Sequence, residues 1–139
     1  MKLLLIAISF FLISAIATAV CLKDHPSVAE EYTDSKTVFV GKVIEIIDVA
    51  ELFIYYDGQI CTVQVQEVFK GNPTKSIAIF SENSNGRFPM VQGVTYLIFA
   101  YYELGRYQIN NCGNSGILSN KEDTVLEVQS IKQNKANKK

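Results

Sequence analysis

The chain begins with an apolar segment of the kind that directs export. Lys2 is followed by a continuous run of mostly apolar residues over 3–13, and small residues then continue through Ala19. A charged start, a short apolar stretch and a small-residue exit are typical of a secretory signal peptide. The last three residues of this segment fit the A-x-A cleavage pattern. We therefore predict a signal peptide over residues 1–19 and a mature chain that starts at Val20.

Other interpretations of this segment stay open. A membrane anchor needs about 20 mostly apolar residues, and the stretch 3–19 is shorter and contains polar residues. A lipoprotein would carry its lipid on Cys21, but the preceding Val20 is bulkier than the small residue that lipid attachment favours. Cleavage after Val20 is a further choice. We predict a secreted or periplasmic protein with no stable membrane span, and lipid anchoring at Cys21 ranks second.

After this leader, the apolar positions follow the two-residue period of strands. Residues 37–47 predict a long strand that bends at Gly41, because glycine inside an apolar strand marks a bulge or a bend. Residues 61–66 alternate as in a half-buried antiparallel strand. Further strands are predicted at 76–80, 94–102 and 106–110, with turns at Asp57-Gly58, at 70–73 and at Gly105.

Short helices are predicted at both ends of this body. Asp24 and Pro26 fit the start of a helix that runs to about Tyr32, and Asp123 fits the N-cap of a helix that runs to about Ile131. Five strands without β-α-β alternation predict an all-β fold, a closed five-stranded barrel of the OB type over residues 20–131. A small β-sandwich has strands with the same periodicity, so the hydrophobic pattern alone does not distinguish it from the barrel. The lysine-rich residues 132–139 are predicted to form a flexible tail.

Composition argues against a nucleic-acid partner. The 139 residues carry 13 Lys and Arg against 14 Asp and Glu, a net charge of -1. Neutralising phosphates requires clustered cations, which this balance does not favour. A stacking platform for single strands could be built from aromatic residues, but export and the slightly acidic charge favour a role for them in the core and at its rim. They are Phe53, Tyr55, Tyr56, Tyr101, Tyr102 and Tyr107.

The residues of familiar catalytic and metal sites are missing from the sequence. His25 is the one histidine, and it precedes a proline at a predicted helix start, where a surface or capping role is expected. A Cys112–His25 dyad would need the two to meet in space. Glu30 and Glu31 are interpreted as solvated helix positions. We predict no enzyme, no catalytic residues, no metal and no cofactor.

Three cysteines, Cys21, Cys61 and Cys112, leave one thiol unpaired or joined to another chain. Cys61 lies on the apolar face of its predicted strand, where a buried free thiol is favourable. We therefore predict a disulfide between Cys21 and Cys112 that joins the start of the mature chain to the loop after the fifth strand.

Five short pieces of sequence then occur in a distinctive order and spacing. They are Cys21 with His25-Pro26 behind it, 38–43 (VFVGKV), 65–71 (VQEVFKG), Gly93 with 96–100 (YLIFA), and Asn111-Cys112. Over residues 21–118 the chain resembles the tissue inhibitors of metalloproteinases (TIMPs) and their bacterial relatives, in the netrin-like OB-fold group.

This resemblance implies a way of acting on zinc proteases. In the inhibitors, a C-x-C pair opens the mature chain, and the amino group and carbonyl oxygen of the first cysteine bind the protease zinc. In the family, the first cysteine pairs with a cysteine in the loop after the third strand, and the second pairs with the cysteine after the fifth strand. Here only one N-terminal cysteine is present and the loop 81–89 has none, so the resemblance matches Cys21 to the second family cysteine. Ala19 then occupies the zinc-binding position, and the predicted signal cleavage removes it. If cleavage instead exposes Cys21, Leu22 takes the place of the residue that enters the specificity pocket.

The resemblance thus implies a secreted, non-catalytic binding protein that inhibits a zinc metalloprotease through its mature N-terminus and the adjacent loop. The alternative is an extracellular or envelope interaction module that binds a protein or carbohydrate and inhibits no protease. The expected contact residues are Val20, Cys21, Leu22, Asn111, Cys112 and Gly113.

Overall fold

The computed structural model describes residues 21, 25–50, 57–82, 84 and 86–138. The predicted leader 1–19 and the expected contact residues Val20 and Leu22 lie outside these residues. The same holds for the aromatic residues between 53 and 56.

The described chain is mostly sheet with two short helices, which confirms a predominantly β fold. One 3-10 turn, Leu118–Asn120, precedes the second helix. In chain order the elements are α1 (Val28–Asp34), β1 (Thr37–Ala50), β2 (Asp57–Lys70), β3 (Ser76–Glu82), β4 (Thr95–Glu103), β5 (Arg106–Ile109), β6 (Gly116–Ile117) and α2 (Glu122–Ala136).

Five strands pair in a ring. The order is β1-β2-β3-β5-β4, and β4 pairs back onto β1. All these pairings are antiparallel except β3 with β5, which run parallel at Ile79 and Tyr107. The short strand β6 pairs with β4 beside this ring. Two residues are too few for a sequence pattern, so β6 was not predicted.

The first strand pairs with a neighbour on each of its two edges, and it contains the irregularity at Gly41 that the sequence predicts. Residues from Thr37 to Lys42 pair with β4, while the strand pairs with β2 along its length. Its register against β2 shifts at three points, one of them between Val40 and Gly41. A Cβ atom on Gly41 would overlap the Val63 side chain, so the bend requires a glycine where the two strands approach closely.

The core has two parts, one on each face of β1 and β4. One cluster fills the inner face of the ring, with alternate residues from several strands. The other lies between the outer face and the helices, where Tyr32 of α1 and Val128 of α2 cover Val38, Leu97 and Phe99. Because β4 is covered on both faces, its central residues form a continuous apolar run instead of an alternating one.

Several predicted boundaries differ from the structure. Asp57 and Gly58 are paired residues of β2, opposite Ala50 and Val49, so the predicted turn at this position is wrong. The first helix begins after Ser27, whose hydroxyl accepts a hydrogen bond from the Glu30 N–H, instead of at Asp24 or Pro26. In this capping box, the Ser27 side chain accepts from the Glu30 N–H and the Glu30 side chain accepts from the Ser27 N–H. Pro26 has no side-chain acceptor and could not cap the helix in this way.

The second helix also differs from its prediction. Asp123 lies in the first turn and does not cap the helix, which continues beyond Ile131 to Ala136. Val128 is buried, as expected, but Leu126 is 63% exposed. No helix among the described residues is long and apolar enough to cross a membrane.

Candidate functional site: a disulfide-linked N-terminal edge

The start of the described chain is joined to the loop that follows β5. Cys21 and Cys112 form a disulfide, with Cα atoms 5.7 Å apart, a usual separation for such a bond. This is the pair predicted from the sequence. We use "N-terminal edge" for Cys21 together with the loop 110–116. Cys21 is exposed and Cys112 half-buried, so the edge faces solvent at the bridge.

The bridge decides what the cysteine sulfurs can do. Lipid attachment would need the Cys21 sulfur, so the anchor and the bridge exclude each other. Cys112 likewise offers no thiolate for the Cys112–His25 dyad. Cys61 is free and buried, as predicted, and burial raises the pKa of its thiol, which disfavours the reactive thiolate.

The loop of the edge is tightly hydrogen-bonded. The Cys112 N–H donates to Oδ1 of Asn110 (2.9 Å), and the Gly113 N–H donates to the Asn110 carbonyl (3.1 Å). Farther on, Ser115 Oγ accepts a hydrogen bond from the Phe99 N–H of β4 (2.9 Å). These bonds satisfy backbone groups on both sides of the bridge and give the loop a defined shape.

A buried carboxylate connects this loop to α1. Glu31 is only 1% exposed, and its Oε2 accepts hydrogen bonds from the backbone N–H and the side-chain Nδ2 of Asn114. The same Nδ2 donates to the Pro26 carbonyl (3.0 Å). A buried charge is tolerated when it is hydrogen-bonded, and bonds to a carboxylate are stronger than neutral ones. Glu31 therefore fixes the loop, and the prediction that it is solvated is wrong.

Gly113 makes this approach possible. It is buried, and a Cβ atom at this position would overlap the Glu31 carboxylate. The loop backbone can therefore reach the helix only because residue 113 has no side chain. Gly113, one of the residues expected to contact a partner, is buried against Glu31 in the structure.

The helix that carries Glu31 is held at both ends. At its start, the Ser27 N–H donates to Glu30 Oε2 (2.9 Å), and hydrogen bonds from Ser27 lower the pKa of Glu30. At its end, Lys70 Nζ donates to the carbonyls of Tyr32 (2.6 Å), Thr33 (2.7 Å) and Ser35 (2.6 Å). A cation at the C-terminal carbonyls of a helix also interacts favourably with the helix dipole.

A pocket of about 290 Å³ lies beside the edge and shares Asn110 with it. The hydroxyl of Tyr101, one of its lining residues, interacts with Ser35 and Glu31. Burial, and next the negative charge of Glu31, raise the pKa of Tyr101 to about 12, so this phenol stays protonated at neutral pH. The full lining is Tyr101, Glu103, Gln108, Ile109 and Asn110.

The structure thus assembles part of the predicted site. Cys21 and Cys112 meet, and Asn111 is half-buried next to them. The supporting residues Glu31 and Asn114 were missed. A signal for Glu31 exists, because it lies three residues after Val28 and one before Tyr32, the two α1 residues that pack on the core. Positions i, i+3 and i+4 share a helix face, so Glu31 faces inward.

The surroundings of His25 and of the acidic and cysteine side chains show no arrangement typical of a catalytic or metal site in the described residues. His25 is exposed, with its Nδ1 3.1 Å from the Pro26 carbonyl oxygen, an arrangement that fits a surface role. In the part of the chain that the structure describes, no three His, Cys, Asp or Glu side chains cluster as metal ligands would.

Comparison with protein-family models and with curated sequences adds no relative to this picture. The chain matches no protein-family model, and no curated protein matches its sequence.

Proposed function

We propose that the chain is a secreted, non-catalytic TIMP-like protein whose N-terminal edge binds and inhibits a zinc metalloprotease. The observation that carries the proposal is the bridge from Cys21 to Cys112, which ties an exposed chain start to a rigid loop. A binding segment that is already ordered loses less conformational entropy when it associates with a partner.

A TIMP-like protein has an OB-type barrel, and the strand arrangement supports this part of the proposal. The OB fold is a five-stranded Greek-key barrel. The ring order β1-β2-β3-β5-β4, with β1 returning to β4, is compatible with that architecture. The bent first strand, which pairs on both sides, is the feature such a closure needs.

The proposed inhibition uses the free amino group of the first mature residue. An unprotonated amine and the neighbouring carbonyl oxygen supply two ligands to the protease zinc and displace its catalytic water. The side chain that follows enters the specificity pocket, a role we assign to Leu22 when Cys21 is the first residue. The residues of the loop, Asn111 and Cys112, support the same contact.

The alternative proposal is an interaction module for a protein or carbohydrate without inhibitory activity. One feature of the sequence favours it. The family pattern has two N-terminal cysteines, whereas here Cys21 is followed by Leu22 and Lys23 and is used in the bridge to Cys112. Under this alternative, the edge binds its partner without any bond to zinc.

The test begins with the mature N-terminus, determined by mass spectrometry of the exported protein. That material is then assayed against a panel of zinc metalloproteases, with trypsin as a protease that has no zinc. We expect inhibition of at least one zinc enzyme. Acetylation of the N-terminal amine should weaken inhibition by more than about tenfold, since even indirect partners of a zinc site contribute that much.

A pair of neighbouring variants controls for general damage to the edge. Leu22→Ala should weaken inhibition when the mature chain starts at Cys21, whereas Lys23→Ala should leave it within about twofold. An acetylated chain that inhibits as well as the free chain would overturn zinc binding by the amine. A panel that shows no inhibition, together with a captured protein or glycan partner, would establish the alternative.

A further inference from the structure

The pocket beside the N-terminal edge has a lining that suits a particular kind of side chain. Tyr101 of β4 and Gln108 of β5 are directly opposite each other, so both project from the same face of the sheet. Glu103 lies two residues after Tyr101 in β4 and shares this face, and Asn110, directly after the end of β5, completes the lining. The pocket therefore combines an aromatic ring, two amides and a carboxylate within one strand pair.

Three carboxylates, those of Glu103, Glu31 and Asp34, lie at or near this pocket. Glu103 is exposed at its lining, and the charges of Glu31 and Asp34 both act on the Tyr101 hydroxyl. Glu31 and Ser35 are both buried, and the Tyr101 hydroxyl interacts with their side chains. Two cations lie nearby. Arg106 is opposite Glu103 and its guanidinium packs on the Phe80 ring, and Lys36 is exposed to solvent.

The size of the pocket favours a side chain over a free small molecule. Sites for small molecules usually span about 300–1,000 Å³, and this pocket is at the lower limit with about 290 Å³. A lysine or arginine side chain has a long apolar stem, which fits the Tyr101 ring, and a cationic head, which fits the carboxylate and the amide oxygens.

We propose that this pocket binds a lysine or arginine side chain of the partner protein, next to the contact made by the N-terminal edge. The inference rests on the proposed function for the identity of its occupant, while binding of the side chain itself can be measured without any partner. The pocket then selects partners that carry a basic residue beside the segment that meets Cys21 and Cys112.

The experiment uses the exported, disulfide-intact protein and small side-chain probes. Amide spectra are recorded by NMR during titration with Nα-acetyl-lysine amide and Nα-acetyl-arginine amide. Uncharged Nα-acetyl-norleucine amide, acidic Nα-acetyl-glutamate amide and methyl glucoside serve as comparison probes. We expect saturable shifts at Gln108, Asn110 and Tyr101 with the basic probes and none with the other three.

Matched variants locate the charge that matters. Glu103→Gln should weaken binding of the lysine probe by about threefold to fivefold, the upper part of the range expected for an exposed ion pair. Glu45→Gln removes an exposed carboxylate from β1, where Glu45 pairs with Thr62, and should leave binding unchanged.

The outcomes separate this inference from the proposed function. Equal shifts with the norleucine probe, preference for the glutamate probe or the glucoside, or an unaffected Glu103→Gln variant would each overturn the inference, whatever the protease panel shows. Selective lysine binding together with a negative panel would keep the pocket and remove the metalloprotease as its partner.

Discussion

At the scale of single residues, the N-terminal edge depends on a close fit between a glycine and a carboxylate. Glu31 is buried and receives two hydrogen bonds from Asn114, so its position is fixed. Gly113 lies against it with no room for a side chain. The geometry of the bridge loop is therefore set by a residue that is far from it in sequence.

Replacing this glycine should test the fit directly. We expect Gly113→Ala to lower the free energy of unfolding by about 1–3 kcal/mol, because an added methyl must displace a hydrogen-bonded carboxylate in a packed site. Gly86→Ala is the control, since the nearest atom to its added methyl would be Ser84 Oγ at 3.7 Å, an ordinary contact. Urea unfolding of both variants measures the difference. Equal midpoints would show that the Glu31 carboxylate moves aside at no cost.

At the scale of secondary structure, α1 is stabilised by contacts with the last two residues of β2, Phe69 and Lys70. Seven residues form a marginal helix by themselves. The Tyr32 hydroxyl donates to the Phe69 carbonyl (2.8 Å), and Lys70 donates to three carbonyls at the end of α1. The end of β2 therefore holds the helix that presents Glu31 to the loop.

Removing this lysine should loosen the helix. Lys70→Met keeps the apolar stem but removes the charge, and we expect a loss of about 1–2 kcal/mol in the free energy of unfolding. Lys75→Met, at an exposed position, should change it little. Hydrogen exchange should show faster exchange across Val28–Asp34 in the first variant alone. Unchanged protection of α1 in Lys70→Met would contradict this role for the cap.

At the scale of the whole molecule, one bridge connects the two ends of the ring topology. The bonded cysteines are 91 residues apart, and closing so long a loop in the unfolded chain is worth at most about 4–5 kcal/mol in the chain-entropy model. Disulfides typically form and persist in oxidising compartments, so the bridge is compatible with an extracellular location.

Counting thiols tests this arrangement. With Ellman's reagent and no reductant, we expect no fast reaction in the native protein, since Cys61 is buried with a raised pKa and the other two cysteines are bonded. Unfolding without reductant should expose one thiol per chain, and unfolding with reductant should expose all 3 cysteines. The Cys61→Ala variant should show none before reduction. Two or more thiols in the unreduced unfolded wild type would contradict the bridge.

Much of the fold was accessible from local patterns, because strand periodicity and glycine positions act over a few residues. The bent first strand, the alternating strand around Cys61 and the positive-φ turn at Gly105 all follow from such short-range rules. The turn at Asp57-Gly58 failed because the pairing of β1 with β2 extends past it, and strand pairing depends on the partner strand as well as on the turn residues.

The sequence by itself determined the strand pattern, the bend at Gly41, the burial of Cys61 and the choice of cysteines for the bridge. Only the tertiary structure decided that Asn114 hydrogen-bonds Glu31, that Gly113 lies against this carboxylate and that Tyr101, Gln108 and Asn110 line one pocket. The physical reason is the distance along the chain over which each property is determined. Periodicity and the chemistry of a thiol are local properties, whereas the burial of a charge depends on donors such as Asn114 that the fold brings from 83 residues away.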